Sequence, residues 1–189
     1  EGVRWLLAQG IGDADRVGIV GHSFGGYSTL LGLTFQPELF KVGVAGAPPA
    51  DLGWSMRWLV QSGDQGDLPD RSLQHTLRAL SLDATDPATY ARLHTQSPLV
   101  NAAKMQRPLL IMAGGADRTV AIREVVNYAA TLKALGRPVS LRVEPGGGHS
   151  PVDPLPREAY LFGMETMLQK HLGGPAPEAP GQRLRAHVR

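Results

Sequence analysis

The chain has 189 residues, 42% of them hydrophobic, which suits one ordinary domain or part of a larger one. Its formal net charge of +2 is too small to point to nucleic acid or a membrane surface as partner, and no apolar run approaches the roughly 18 residues of a membrane span. With no cysteine, disulfides, thiol catalysis and cysteine metal sites are excluded.

Residues 1–10 read as the end of an amphipathic helix, with Val3, Leu6 and Leu7 on one side and Gly10 and Gly12 as the stop. Because the chain opens inside such a pattern, it reads as the C-terminal part of a longer protein. No leader segment is visible, and the compartment stays unassigned. Asp13 to Asp15 form a polar turn, and Val17 to Val20 read as a short buried strand. A helix is expected from Phe24 to Phe35, closed by Gln36-Pro37-Glu38, and a second strand over Val42 to Ala45. From Ala50 to Thr85 the pattern weakens: Trp54, Met56, Trp58 and Leu59 precede a stretch bearing Gly63, Asp64, Gly66, Asp67 and Asp70. Short helices broken by polar loops are expected there.

Asp86-Pro87 has the form of a helix start, with aspartate at the N-cap and proline at the first helical position. That helix runs towards His94, and Ser97-Pro98 interrupts it. Pro108 to Ala113 is the clearest buried strand, followed by Gly114-Gly115-Ala116-Asp117. Val120 to Leu135 is a helix ended by Gly136, Val139 to Val143 a strand, and Pro145 to His149 its loop. Pro154 to Leu172 is the last long helix. Residues 173–189, Gly/Pro-rich and then basic, read as a disordered tail beyond a domain over 1–172.

Strands alternating with helices imply a parallel sheet covered on both faces, an α/β architecture whose functional groups collect at the carboxyl ends of the strands. One such end carries Gly21-His22-Ser23-Phe24-Gly25, a G-x-S-x-G match set between strand and helix. This context presents a serine at a helix N-terminus on a tight turn, where side chains at Gly21 and Gly25 would collide. The backbone N–H of Phe24 would supply an oxyanion donor. A G-x-S-x-G alone also describes a glycine turn with a solvated serine, so the later strand ends decide the reading.

They carry Asp117 after the third strand and His149 after the fourth. Serine chemistry needs a base to take its proton and an acid to orient that base. Ser23, Asp117 and His149 stand in the Ser…Asp…His order of the α/β-hydrolase triad. Asp117 could alternatively cap the helix at Val120, and His149 alone would be a solvated loop histidine. Asp153 is a second candidate acid, but no strand precedes it. His22 sits inside the turn, Tyr27 packs below it, and His75, His94, His171 and His187 read as surface or tail residues. No metal-ligand spacing is present, and no cofactor is expected. Trp54 and Trp58 either line a substrate pocket or form a small local core.

The chain resembles the catalytic domain of the prolyl oligopeptidase family of serine peptidases, from about Val3 to Leu172. The resemblance rests on Asp13-x-Asp15-Arg16-Val17-Gly18-Ile19, Gly21 to Tyr27, Ser97-Pro98-Leu99, Ala113 to Val120, and Gly148-His149. It implies an α/β-hydrolase fold, a triad of Ser23, Asp117 and His149, and a short peptide as substrate. It also implies further strands before Ser23, one of whose loops gives the second oxyanion donor, and a β-propeller commonly placed upstream. A carboxylesterase with the same triad and a non-catalytic assembly module are the competing readings. The oligomeric state stays open, a homo-oligomer included.

Overall fold

The computed structural model describes residues 1–62, 75, 77–79, 81–83 and 85–188. The stretch bearing Gly63, Asp64, Gly66, Asp67 and Asp70, for which short helices and loops are expected, lies outside the described residues, as does Arg189. Four parallel strands form one sheet in the order β1-β2-β3-β4: β1 Gly18–His22, β2 Val42–Gly46, β3 Leu109–Gly114 and β4 Val139–Glu144. The described helices are α1 Gly2–Ala8, α2 Phe24–Phe35, α3 Leu52–Ser62, α4 Pro87–Thr95, α5 Ile122–Ala134, α6 Pro154–Leu172 and α7 Gln182–His187.

Side-chain alternation along β3 divides the core. Leu109, Ile111 and Ala113 point to the face covered by Leu30 and Leu33 of α2 and by Val125, Tyr128 and Leu132 of α5. Leu110 and Met112 point the other way, with Val44, against Tyr160, Met164, Met167 and Leu168 of α6. A strand apolar on both sides needs helices on both sides, and a three-layer α/β/α sandwich follows. The helix start expected at Asp86 has its cap, the carboxylate accepting from the Ala88 N–H at 2.9 Å, and in the polar turn Asp13 accepts from the Asp15 N–H at 2.9 Å.

Two local expectations need correction. Residues 182–187 form α7, with Leu184 only 3% exposed, where a disordered tail is expected. Its packing against α6 and the contact of His187 Nε2 with Glu144 Oε2 at 2.8 Å hold it despite the Gly/Pro-rich approach. Gly25 is not crowded either, since nothing lies within 4 Å of where its Cβ would be. The helix-side glycine that matters is Gly26, whose Cβ would come within 2.7 Å of the Gly46 carbonyl oxygen. Gly21 does meet α2, because its Cβ would overlap the backbone of Gly25.

Candidate active site

Strand β1 runs directly into α2 through Ser23, whose φ of 57° is rare for a residue with a side chain. The Ser23 N–H donates to the Gly46 carbonyl at 2.8 Å, which ties this turn to the end of β2. Close approach of Gly21 to Gly25 and of Gly26 to Gly46 makes the turn this tight, and it leaves Oγ at the carboxyl edge of the sheet. Phe24 is the first residue of α2, so its N–H belongs to the set that a helix leaves without an internal partner.

His149 arrives from the loop after β4. The Gly115 N–H donates to the Glu144 carbonyl at 2.7 Å, and the Ala116 N–H to that of Gly147 at 2.9 Å. These bonds splice the loop carrying His149 onto the loop carrying Asp117. Gly114 and Gly115 permit the splice, since a Cβ on Gly114 would overlap Gly147 and Gly148, and one on Gly115 would come within 2.5 Å of the Pro145 carbonyl oxygen. The sequence presents this Gly-Gly pair as a turn, and its role as a seat for a second loop was not visible there.

The three side chains meet. Ser23 Oγ–H lies 2.9 Å from His149 Nε2 and can donate to it, while His149 Nδ1–H lies 2.9 Å from Asp117 Oδ2 and can donate to that. Asp117 Oδ1 accepts from the N–H groups of Thr119 and Val120 at 2.8 and 2.9 Å. The carboxylate therefore holds its own turn with one oxygen and the imidazole with the other. The Asp117 side chain is 1% exposed and that of His149 18%. Removed from water, the Asp117–His149 pair orients the ring more firmly than it could at the surface. Asp153 precedes α6 and does not take part; its backbone carbonyl accepts from the Arg157 N–H.

His22 lies behind the triad. Its ring centroid is 5.2 Å from that of His149 and 6.2 Å from that of Tyr160. Burial, reinforced by the neighbouring His149, pushes its pKa below the ordinary histidine value. Together with Met112, Tyr160, Arg142 and Val152 it borders a cavity of about 480 Å³ on the α6 side of the sheet. Trp54 and Trp58 do not border that cavity. They stack on each other on α3, 6.2 Å between centroids with planes 5° apart, and the Arg123 guanidinium lies 4.7 Å over Trp54.

Beside them is a group that reading the sequence missed. Glu124 of α5 is 5% exposed, and burial raises its pKa to about 7 against the lowering effect of its hydrogen bonds. Its Oε1 accepts from the Ala50 and Asp51 N–H groups at 2.7 and 2.6 Å, and its Oε2 from Ser55 Oγ at 2.6 Å. The signal was there in outline: Glu124 stands four residues before Tyr128, on the face that Val125, Ala129 and Leu132 bury. Asp51, also buried, accepts from the Trp54 N–H at 3.1 Å and pairs with His94 Nδ1. His94, expected at the surface, is thus an exposed ring tied to a buried carboxylate.

A sequence profile of the prolyl oligopeptidase family matches residues 1–173. The chain belongs to that family. It is 32% identical over 179 residues to dipeptidyl aminopeptidase BIII of Pseudoxanthomonas mexicana, covering 93% of this chain and 24% of the relative. To dipeptidyl peptidase family member 6 of Caenorhabditis elegans it is 30% identical over 188 residues, covering 96% of this chain and 24% of the relative. Among solved structures, dipeptidyl peptidase 4 of Porphyromonas gingivalis superposes with a TM-score of 0.69 at 27% identity, covering 90% of this chain and 22% of that one. A puromycin-hydrolyzing peptidase of Mycobacterium tuberculosis superposes at 0.77 with 21% identity, covering 94% and 25%, and shares the fold. The chain spans about a quarter of the length of these relatives.

Proposed function

We propose that this chain carries the catalytic triad of a serine peptidase that hydrolyses short peptides through an acyl-enzyme on Ser23. The observation that carries the reading is the unbroken hydrogen-bonded series from Ser23 Oγ through His149 to Asp117, each link 2.9 Å. In the proposed reaction His149 Nε2 takes the Ser23 proton as Oγ attacks the scissile carbonyl. The resulting imidazolium is stabilised by Asp117, and the proton passes to the leaving amine as the C–N bond breaks. Water, deprotonated by His149, then attacks the ester, and Oγ leaves with the returned proton. The Phe24 N–H stands at the helix N-terminus, where negative charge on the tetrahedral oxygen is favoured.

The family resemblance assigns a second oxyanion donor to a loop upstream of Ser23, and a missing donor costs on the order of 3 kcal/mol in the transition state. Since the relatives are about four times longer, we infer that efficient turnover belongs to a longer polypeptide carrying this chain, with the upstream domain limiting access to small peptides. The stacked Trp54–Trp58 pair would give an apolar wall for substrate side chains.

A panel of peptide anilides and simple esters, assayed on the 189-residue chain and on the longest polypeptide that carries it, tests the reading. Peptide hydrolysis by the longer form that is lost in Ser23→Ala is expected, with little turnover by the shorter one. Ester cleavage with no peptide cleavage would replace the peptidase reading with an esterase one. Peptide hydrolysis that survives Ser23→Ala would overturn the acyl-enzyme.

A further inference from the structure

The triad needs a substrate held beside it, and the structure links the two tasks through one buried side chain. The β2–α3 connection, residues 47–51, leaves the sheet at its carboxyl edge next to Ser23: the Gly46 carbonyl accepts from the Ser23 N–H, and Pro48 packs where a Gly26 Cβ would stand. The helix that follows presents Trp54 and Trp58. Whatever fixes the first turn of α3 therefore fixes that indole pair relative to the nucleophile.

We propose that Glu124 is a positioning residue, its carboxyl fastening the β2–α3 connection and the indole-bearing helix to the segment that holds Asp117. Three donors converge on it, the Ala50 and Asp51 N–H groups and Ser55 Oγ, all buried and all between 2.6 and 2.7 Å away. Only seven positions separate Glu124 from Asp117, and that segment is rigid at its start, where Asp117 accepts from Thr119 and Val120. The neighbouring Arg123 lies over Trp54, so two consecutive residues of α5 grip α3. Further ties converge on the same connection: Asp51 accepts from the Trp54 N–H and pairs with His94 of α4, and the Ala50 carbonyl accepts from the Leu99 N–H at 3.1 Å. A carboxyl group this deeply buried carries a desolvation cost, which is what raises its pKa, and the structure keeps it where it serves three donors at once.

This inference rests on the Ser23 reading above for its kinetic consequences. Loosening the connection should weaken the hold on the substrate side chain without touching the Ser23–His149–Asp117 series. The prediction is a KM effect with the chemistry of the serine intact.

The test compares Glu124→Ala, Glu124→Gln and Ser55→Ala in the longest polypeptide that carries this chain. The probes are a peptide anilide with an aromatic side chain and a small fluorophosphonate. Glu124→Ala should raise KM about tenfold and leave the rate of phosphonate labelling within about twofold. Glu124→Gln, whose amide oxygen can accept both N–H groups while its NH₂ donates to Ser55, should stay within about twofold on both. Ser55→Ala, which removes one donor only, should raise KM about threefold. Equal losses in labelling and in kcat/KM, or an unchanged KM in the Ala variants, overturn the positioning role. Where Glu124→Ala does not fold, Ser55→Ala decides by the same criteria. Amide hydrogen exchange at Ala50 and Asp51 needs no activity and separates this proposal from the Ser23 reading. Faster exchange in the folded Ala variants supports the link, and unchanged exchange sinks it, whether or not Ser23 reacts.

Discussion

Gly114 and Gly148 meet with no room for a side chain between them, because a Cβ on Gly114 would overlap the carbonyl oxygen of Gly148. This contact seats the loop of His149 on the strand that leads to Asp117. His149 and Asp117 are thus placed by backbone packing as well as by their own hydrogen bond. Gly114→Ala must push the histidine loop away. A displacement near 1 Å in a reacting constellation can cost about a hundredfold in rate. Steady-state kinetics should show a fall of that order in kcat/KM with the fold retained by circular dichroism; wild-type rates would mean the loop is not seated as described.

Asp117 holds two structures with two oxygens, and Asp117→Asn separates them. The asparagine Oδ1 can still accept from Thr119 and Val120, so the turn should persist. Its NH₂ would face His149 Nδ1 and favour the wrong tautomer, with an expected loss in kcat of about 10⁴. Asp117→Ala should lose the turn as well and cost roughly 1 kcal/mol of stability in addition. Denaturant unfolding of the pair separates the two roles, and identical stabilities would contradict the division of labour.

Glu124 makes stability depend on pH in a stated direction. Its pKa rises from the ordinary glutamate value of 4.5 to about 7 through burial, so the folded protein holds a proton that the unfolded chain releases. Its contribution is fully present below about pH 4.5 and lost as pH rises towards about 7. The shift corresponds to roughly 3 kcal/mol at most. Glu124→Gln lacks the titration, so it should gain on the wild type as pH rises from about 5 to about 7.5. Parallel stability curves for the two proteins would contradict this.

His22 acts in the opposite sense. Burial and the nearby His149 lower its pKa below 6.5, so the unfolded chain takes up the proton first. Its contribution is therefore present above about pH 6.5 and lost as pH falls through the folded value. His22→Phe keeps a ring against Tyr160 and removes the titration. Chemical unfolding at acid and neutral pH should show a shallower acid loss for the variant. A slope equal to that of the wild type would show that His22 does not feel its burial.

Much of this was legible in the sequence, for physical reasons. Strand β3 is apolar on both sides, which only a doubly covered strand can be, and α2 and α6 start and stop where their turn residues say. Ser23, Asp117 and His149 stood out because parallel sheets gather such groups at strand ends, in the chain order of the α/β-hydrolase triad. Glu124 did not, because its partners Ala50 and Asp51 lie 74 and 73 residues away and only folding brings them close. Helix α7 was hidden by its composition: residues 173–189, Gly/Pro-rich and then basic, read as disorder, and Leu184 is the one buried residue of the helix. The crowding at Gly26 rather than Gly25 could not be read from a motif that contains both.

The central claim is that Ser23 is the nucleophile, and fluorophosphonate labelling read by intact-protein and peptide mass spectrometry tests it most directly. In the longest polypeptide that carries this chain, one equivalent should attach to Ser23. The adduct should vanish in Ser23→Ala and form far more slowly in His149→Ala. An adduct on another residue, or none while peptide turnover persists, would contradict the account.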